Sequence, residues 1–204
     1  SSSTSWSLSS RDWGSRMAVL RQLVAGARFL LVMTVLLGVA YPAVVTLVAQ
    51  AFPAQAGGSL ILDARGRVVG SALLGQAVDG PQWFQPRPSA SDYSGKTSGG
   101  SNLSPVSDRQ VAARAEREQV LRAANPDAVG PVPEDALTAS ASGLDPHISL
   151  AYARWQVPRV AAATGLSIAA LNAMIDAATE PAPWGYLGQD GVNVTLLNLA
   201  LSQR

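Results

Sequence analysis

The sequence predicts an α+β extracytoplasmic domain carried on a single N-terminal transmembrane helix. Three observations lead there. An uncharged run of 21 residues, Phe29 to Ala49, lies near the start. A short hairpin pattern and a terminal β-branched run bracket the remainder. Between them lie several segments with helix-capping residues at their starts, and strands and helices that do not alternate point to an α+β arrangement.

Phe29 to Ala49 reads FLLVMTVLLGVAYPAVVTLVA. As a helix it spans about 31 Å, the thickness of a bilayer's hydrocarbon core. Pro42 removes one backbone hydrogen bond and is expected to kink the span or press it against a partner. Gly38 and Ala40 permit close helix approach. Arg11, Arg16, Arg21 and Arg28 precede the run, opposed only by Asp12, and the next basic residue is Arg65. The positive-inside rule then puts residues 1–28 in the cytoplasm as a tail and residues 50–204 outside. Ala49-Gln50-Ala51 and Ala54-Gln55-Ala56 fit a signal-peptidase pattern, but the apolar run is longer than a signal core, so a retained anchor is expected. The opening SSSTSWSLSS is polar and of low complexity, and is expected to be disordered.

The chain of 204 residues has no cysteine and a net charge of +1, which excludes disulfides, thiolate metal sites and a basic nucleic-acid-binding surface. The part after the span holds 11 Lys and Arg against 13 Asp and Glu, a balance of −2.

Ser59 to Gly75 reads as two short strands around Ala64-Arg65-Gly66. Gln82 to Pro88 reads as a loop or edge strand, and Ala90 to Pro105 as a long polar loop. Ser107 or Asp108 caps a helix from Arg109 to Ala124, with Val111, Ala115, Val120 and Leu121 on its apolar side and an i,i+4 pair between Glu118 and Arg122. Pro133 to Ala139 forms a helical turn. Asp145-Pro146 starts a helix that is interrupted at Pro158, and Ser167 caps another to about Ala178. Val192 to Leu201 reads as the terminal strand.

The chemical motifs are weak. Gly95-Lys96-Thr97 resembles the end of a phosphate-binding loop, yet Ala90 replaces the required first glycine and the flanks are poor strand and helix sequence. His147 is the only histidine, with Asp145 the only local carboxylate for a metal site. Gly99-Gly100-Ser101-Asn102-Leu103 lacks the last glycine of a hydrolase elbow. Glu134 and Asp135 are adjacent, so they point in different directions on a helix. No catalytic residue and no metal site is assigned.

Several stretches, taken in order, resemble one family. They are GSALLGQ (Gly70 to Gln76), WFQPRPSASDY (Trp83 to Tyr93), SGGSNLSP (Ser98 to Pro105), TASASGLDPHIS (Thr138 to Ser149), QVPRVA (Gln156 to Ala161) and VNVTLLNLAL. The family is KdpC, the C subunits of the bacterial Kdp potassium-transporting P-type ATPase. Pro86, Ser104 and Val106-Ser107 depart from its usual pattern. The resemblance implies a non-catalytic subunit in the bacterial inner membrane. Its partners would be a potassium-channel-like subunit, an ATP-hydrolysing P-type subunit, a very small membrane subunit and membrane lipid. It implies a role in assembly and as a catalytic chaperone that raises ATP affinity. ATP and potassium then act through the complex, and no cofactor is bound covalently.

Ser98, Gly99, Gly100, Ser101 and Asn102 resemble the Leu-Ser-Gly-Gly-Gln signature of ABC transporters and are the nucleotide-binding candidates. The positive-inside argument puts them on the side without ATP, so an allosteric effect is the alternative to direct contact. Candidate partner contacts are Gly38 and Pro42 in the span, and Arg87, Tyr93, Asn102 and His147 in the domain. Arg87, Tyr93 and Asn102 can equally tie the loop to its own domain. Two other classes stay open: an anchored ligand-binding or potassium-entry gating module, and a hydrolase using His147.

Overall fold

The computed structural model describes residues 10–63 and 65–204. Residues 1–9 of the expected disordered segment, and Ala64 in the hairpin turn, lie outside the described residues. The chain divides into two compact units, Ser1–Gly57 and Gly58–Arg204.

The first unit is one long helical run. Helix α1 (Ser10–Val35) passes through a π-helical turn (Leu36–Ala40) into α2 (Tyr41–Ala49), and a short α3 (Pro53–Ala56) follows. The residues from Arg16 to Ala49 are long and apolar enough to cross a membrane. Side chains such as Leu30 and Leu47 are exposed all round, as a lipid-facing helix requires. Pro42 sits just after the π turn. A proline ring clashes with the carbonyl four residues earlier, here that of Gly38, and the wider turn accommodates it. The Tyr41 amide donates to the Leu36 carbonyl, five residues back. One turn on, the Thr46 hydroxyl donates to the Pro42 carbonyl at 2.8 Å.

The second unit is α+β. Strands β1 (Leu60–Leu62) and β2 (Val68–Ser71) pair antiparallel, with a bulge between Ile61 and Leu62. Asp63 shapes the turn: its carboxylate accepts the amides of Arg65 and Arg67 at 2.8 and 2.9 Å. Residues 72–107 contain no helix or strand. Helix α4 (Asp108–Ala124) follows, capped by the Ser107 hydroxyl, which accepts the Gln110 amide. Its inner face differs from the expected one. Val111 and Val120 are exposed, while Gln110 is buried and Leu121 packs on the core. Glu118 and Arg122 do pair, at 3.0 Å.

Helix α5 (Glu134–Leu137) is the expected turn, and Glu134 and Asp135 diverge from it. Glu134 pairs with Arg114, and Asp135 accepts from the amide and hydroxyl of Ser149. Asp145-Pro146 does not start a helix. The Asp145 side chain instead accepts the His147 amide at 2.9 Å, and β3 (His147–Ile148) follows. Ser149 is the cap of α6 (Leu150–Thr164), accepting the Tyr152 amide. That helix continues through Pro158 instead of stopping there. Tyr152, Ala153, Val157 and Val160 are buried on both sides of the proline, and that burial outweighs one lost hydrogen bond. Ser167 caps α7 (Ile168–Ala177), as expected.

The C-terminal run is only briefly a strand. After β4 (Thr179–Glu180), strand β5 (Gly191–Asn193) lies between β3 and β4, antiparallel to both. The Asn193 side chain then accepts the Leu196 amide and opens α8 (Val194–Ser202). Val194, Leu197, Asn198 and Leu201 are buried at helical spacing, so core contact overrides β propensity here. Phe84, Tyr152, Leu171, Ile175, Val192 and Leu197 form the centre of the core.

Candidate functional site in the Trp83–Pro105 loop

The loop that carries most of the sequence candidates is built by buried amides. Phe84 is fully buried, and its amide and carbonyl are both bound by the Asn198 side chain, at 2.9 and 2.8 Å. One residue on, the Gln85 amide and carbonyl are bound in the same way by Gln156, at 2.7 and 3.1 Å. Two helices, α6 and α8, thus hold an extended segment as flanking strands hold a third. Arg159 completes the clamp. Its guanidinium donates to Gln156 Oε1 at 2.7 Å, to Asn125 Oδ1 at 2.8 Å and to the carbonyls of Trp83 and Pro81. No carboxylate pairs with it among the described residues. Burial pushes its pKa down, but a guanidinium stays charged at neutral pH.

Beyond Pro86 the chain folds onto Ser140–Gly143. The Ser140 amide donates to the Pro88 carbonyl at 3.0 Å. The Ser89 hydroxyl donates to the Gly143 carbonyl at 2.7 Å and accepts the amides of Ser91 and Tyr93. Asp92 and Tyr93 both adopt positive φ, 50° and 54°, to make this turn. The Tyr93 hydroxyl reaches back to the Arg87 carbonyl. Burial, and secondarily Asp92, push the Tyr93 phenol up to about 12, so it stays a donor.

The SGGSN segment lies on the same support. The Gly99 amide and the Ser98 hydroxyl both donate to the Ser142 carbonyl, at 2.8 and 3.1 Å. A side chain at Gly100 would meet Ala141 backbone atoms at 3.1 and 3.3 Å, so glycine lets the two segments touch. Ser101 and Asn102 are exposed at the crest, Asn102 with φ 53°. Gly95, Lys96 and Thr97 are exposed, and no helix follows them before Asp108.

Arg87 and His147 belong to a second cluster at the edge of the three-stranded sheet. The Arg87 guanidinium lies 3.5 Å from Asp145, and its Nε is buried with no partner among the described residues. His147 lies over Gly191 between two carboxylates: Nδ1 is 3.5 Å from Asp145 and Nε2 is 3.1 Å from Glu180 on the far strand. The other Glu180 oxygen accepts from Asn193, which also donates to the Ala72 carbonyl. No serine hydroxyl bonds to His147 among the described residues, and none of their His, Asp and Glu side chains form a metal-holding group. Within the cluster, Asp145 binds the His147 amide and Asn193 the Ala72 carbonyl.

This cluster makes stability pH-dependent. The Asp145 carboxylate, helped by Glu180 and opposed by burial, raises His147 above its ordinary 6.5. His147, helped by Arg87 and opposed by burial, holds Asp145 below 3.8. The His147 contribution is complete below 6.5 and is lost as pH rises through its raised value. The Asp145 contribution is present above 3.8 and is lost as pH falls through its lowered value. The melting temperature of the full chain in detergent micelles is therefore expected to peak between these limits. His147→Ala should flatten the alkaline limb. An unchanged alkaline limb would contradict the assignment.

Gln156, Asn198, Ser89 and Gly143 do not stand out as functional in the sequence. The available signal is an isolated amide in an otherwise apolar helical run, QVPRVA and TLLNLAL.

A family model for the c chain of the K+-transporting ATPase, KdpC, matches residues 23–203. The chain belongs to the KdpC family. It is 50% identical over 186 residues to a potassium-transporting ATPase KdpC subunit of Geobacter sulfurreducens, covering 89% of this chain and 97% of that protein. A subunit of the same name from Sorangium cellulosum is 53% identical over 176 residues, covering 84% and 92%. One from Myxococcus xanthus is 49% identical over 180 residues, covering 87% and 85%. The matched span runs from the apolar helix to α8, so the amide clamp and the seated loop lie within it.

Proposed function

We propose that this chain is a non-catalytic subunit of an ATP-driven potassium uptake pump in the bacterial inner membrane. It supports assembly with a channel-like subunit, an ATP-hydrolysing P-type subunit and a small membrane subunit. The carrying observation is the family match over residues 23–203 together with full-length relatives of that name. The chain itself performs no catalytic step in this reading.

The Trp83–Pro105 loop is the docking surface of the domain. Its crest, with Asn102 and Ser101, is exposed on a base fixed by hydrogen bonds to Ser140–Gly143. Arg87, within the loop, and His147 both lie against Asp145, and Tyr93 holds the loop's shape. Gly38 and Pro42 supply the contact within the span. Preorganisation of this kind lowers the ordering cost of binding.

The effect on ATP affinity is allosteric. Arg16, Arg21 and Arg28 precede the span and Arg65 is the next basic residue after it, which favours an extracytoplasmic domain. The Gly99 amide is already occupied by Ser142, which disfavours a phosphate at Ser98–Asn102. Coupling of about 1–3 kcal/mol changes affinity several-fold to about a hundredfold. The test is the pump purified with and without this chain, assayed for potassium-stimulated ATPase against ATP concentration. Activity should be lost without the chain and return on reconstitution. Full activity and unchanged ATP affinity without it would overturn the reading.

A further inference from the structure

The connection between β4 and β5 forms a projecting finger. Its base is closed by the Ala182 amide donating to Asp190 at 2.9 Å. Inside it, the Gly185 amide donates to the Ala182 carbonyl at 2.8 Å and the Leu187 amide to the Pro183 carbonyl at 3.1 Å. The finger is therefore an ordered turn. Yet it presents Trp184, Tyr186 and Leu187 at 81%, 72% and 47% exposure. Single exposed apolar residues are ordinary, but three large ones within four positions on a hydrogen-bonded turn are not. Trp184 also takes φ 55°, a left-handed conformation unfavourable for a bulky side chain. Its nearest aromatic neighbour is Tyr186, with ring centroids 6.3 Å apart. Packing within the chain does not explain the strain, and strain of this kind collects at binding sites.

The charge around the finger indicates what it meets. Residues 160–203 contain no Lys or Arg; Asp190 closes the finger's base, Glu180 is paired with His147, and Arg87 and Arg154 lie only along the groove that Gln189 shares. Segments that rest on anionic lipid carry basic residues beside their aromatic ones. The finger itself carries no such residue, and its one flanking charge at the base, Asp190, is negative. It suits a polypeptide surface with an apolar pocket edged by Lys or Arg, where Trp and Tyr act as buried anchors.

We propose that Pro183–Leu187 is an aromatic docking finger that inserts into a basic-rimmed apolar pocket on a polypeptide partner within the pump complex. The proposal rests on the pump-subunit reading and adds a second contact, separate in sequence from the Trp83–Pro105 loop.

The experiment uses the assembled, purified complex. A photoreactive p-benzoylphenylalanine replaces Trp184, and cross-linked products are identified by mass spectrometry. In parallel, Trp184→Asn with Tyr186→Ser is compared with the unaltered chain for its dissociation rate from the complex; asparagine tolerates the left-handed backbone. The expected result is a cross-link to a polypeptide subunit of the complex and dissociation at least tenfold faster for the double variant. A cross-link to lipid alone, or none in an intact complex, overturns the finger while leaving the pump reading in place. So does an unchanged dissociation rate in a double variant that melts normally. Failure of the unaltered chain to enter any complex overturns both.

Discussion

Gln156→Leu should destabilise the domain by about 2–4 kcal/mol, although leucine is similar in size and the site is fully buried. The Gln85 amide and carbonyl lose both of their partners in one step. Arg159 loses an acceptor as well, and no carboxylate pairs with it among the described residues. Backbone groups left unpaired away from water carry most of the cost, because the lost side-chain bonds alone contribute only about 1 kcal/mol each. In a domain of this size the melting temperature should fall by about 10 °C. Thermal unfolding of the full chain in detergent micelles measures it. A loss below about 1 kcal/mol would show that Gln85 finds other partners, and the clamp would not be what holds the segment.

Gly143→Ala should have a similar effect on stability, about 2–4 kcal/mol, but a more local one on structure. Gly143 has φ 68°, and an added Cβ would collide with the Ser91 hydroxyl and with the Gly99 carbonyl at 2.8 Å. Backbone strain and overlap act together, and the carbonyl cannot rotate away as a side chain would. The displaced segment carries the exposed crest of the Trp83–Pro105 loop. Lys96, the only lysine in the chain, stands in that loop. A lysine-specific protease therefore reads the loop alone, and cleavage after Lys96 should be at least tenfold faster in Gly143→Ala. Equal cleavage rates would mean that the loop does not depend on its seat.

Much of the architecture was legible in local sequence because local chemistry decides it. Ser107 and Ser167 cap their helices with their own hydroxyls. The uncharged run from Phe29 to Ala49 announces itself by length. The errors fall where tertiary contact decides. Asp145 followed by Pro146 is a helix start by local rules, but its carboxylate binds the His147 amide and the cap moves to Ser149. Val192 to Leu201 has strand composition, yet Asn193 caps a helix whose buried residues recur at helical spacing. Pro158 would stop an isolated helix but not one buried on both sides of it. On α4, Gln110 faces inward although Val111 beside it is the more apolar.

The candidate site was legible only as a set of residues. Arg87, Tyr93 and Ser98–Asn102 do lie on one loop. What fixes that loop comes from far along the chain: Asn198 and Gln156 on two helices, and Ser140–Gly143. Such pairings have no local signature, since a buried amide reads in sequence like any polar residue in an apolar run. The Trp184 finger is the reverse case. Its residues look like core, and only their exposure distinguishes them.

The side of the membrane that the loop occupies decides between allosteric and direct action on ATP, and the absence of cysteine makes it directly measurable. Ser101→Cys puts a single thiol at the exposed crest. Its labelling by a membrane-impermeant maleimide is compared before and after lysis in spheroplasts that express this chain without the other pump subunits, so that no partner covers the crest. An extracytoplasmic docking subunit predicts labelling before lysis. Labelling only after lysis would put Ser98–Asn102 in the cytoplasm, contradict the allosteric reading and restore direct contact with ATP.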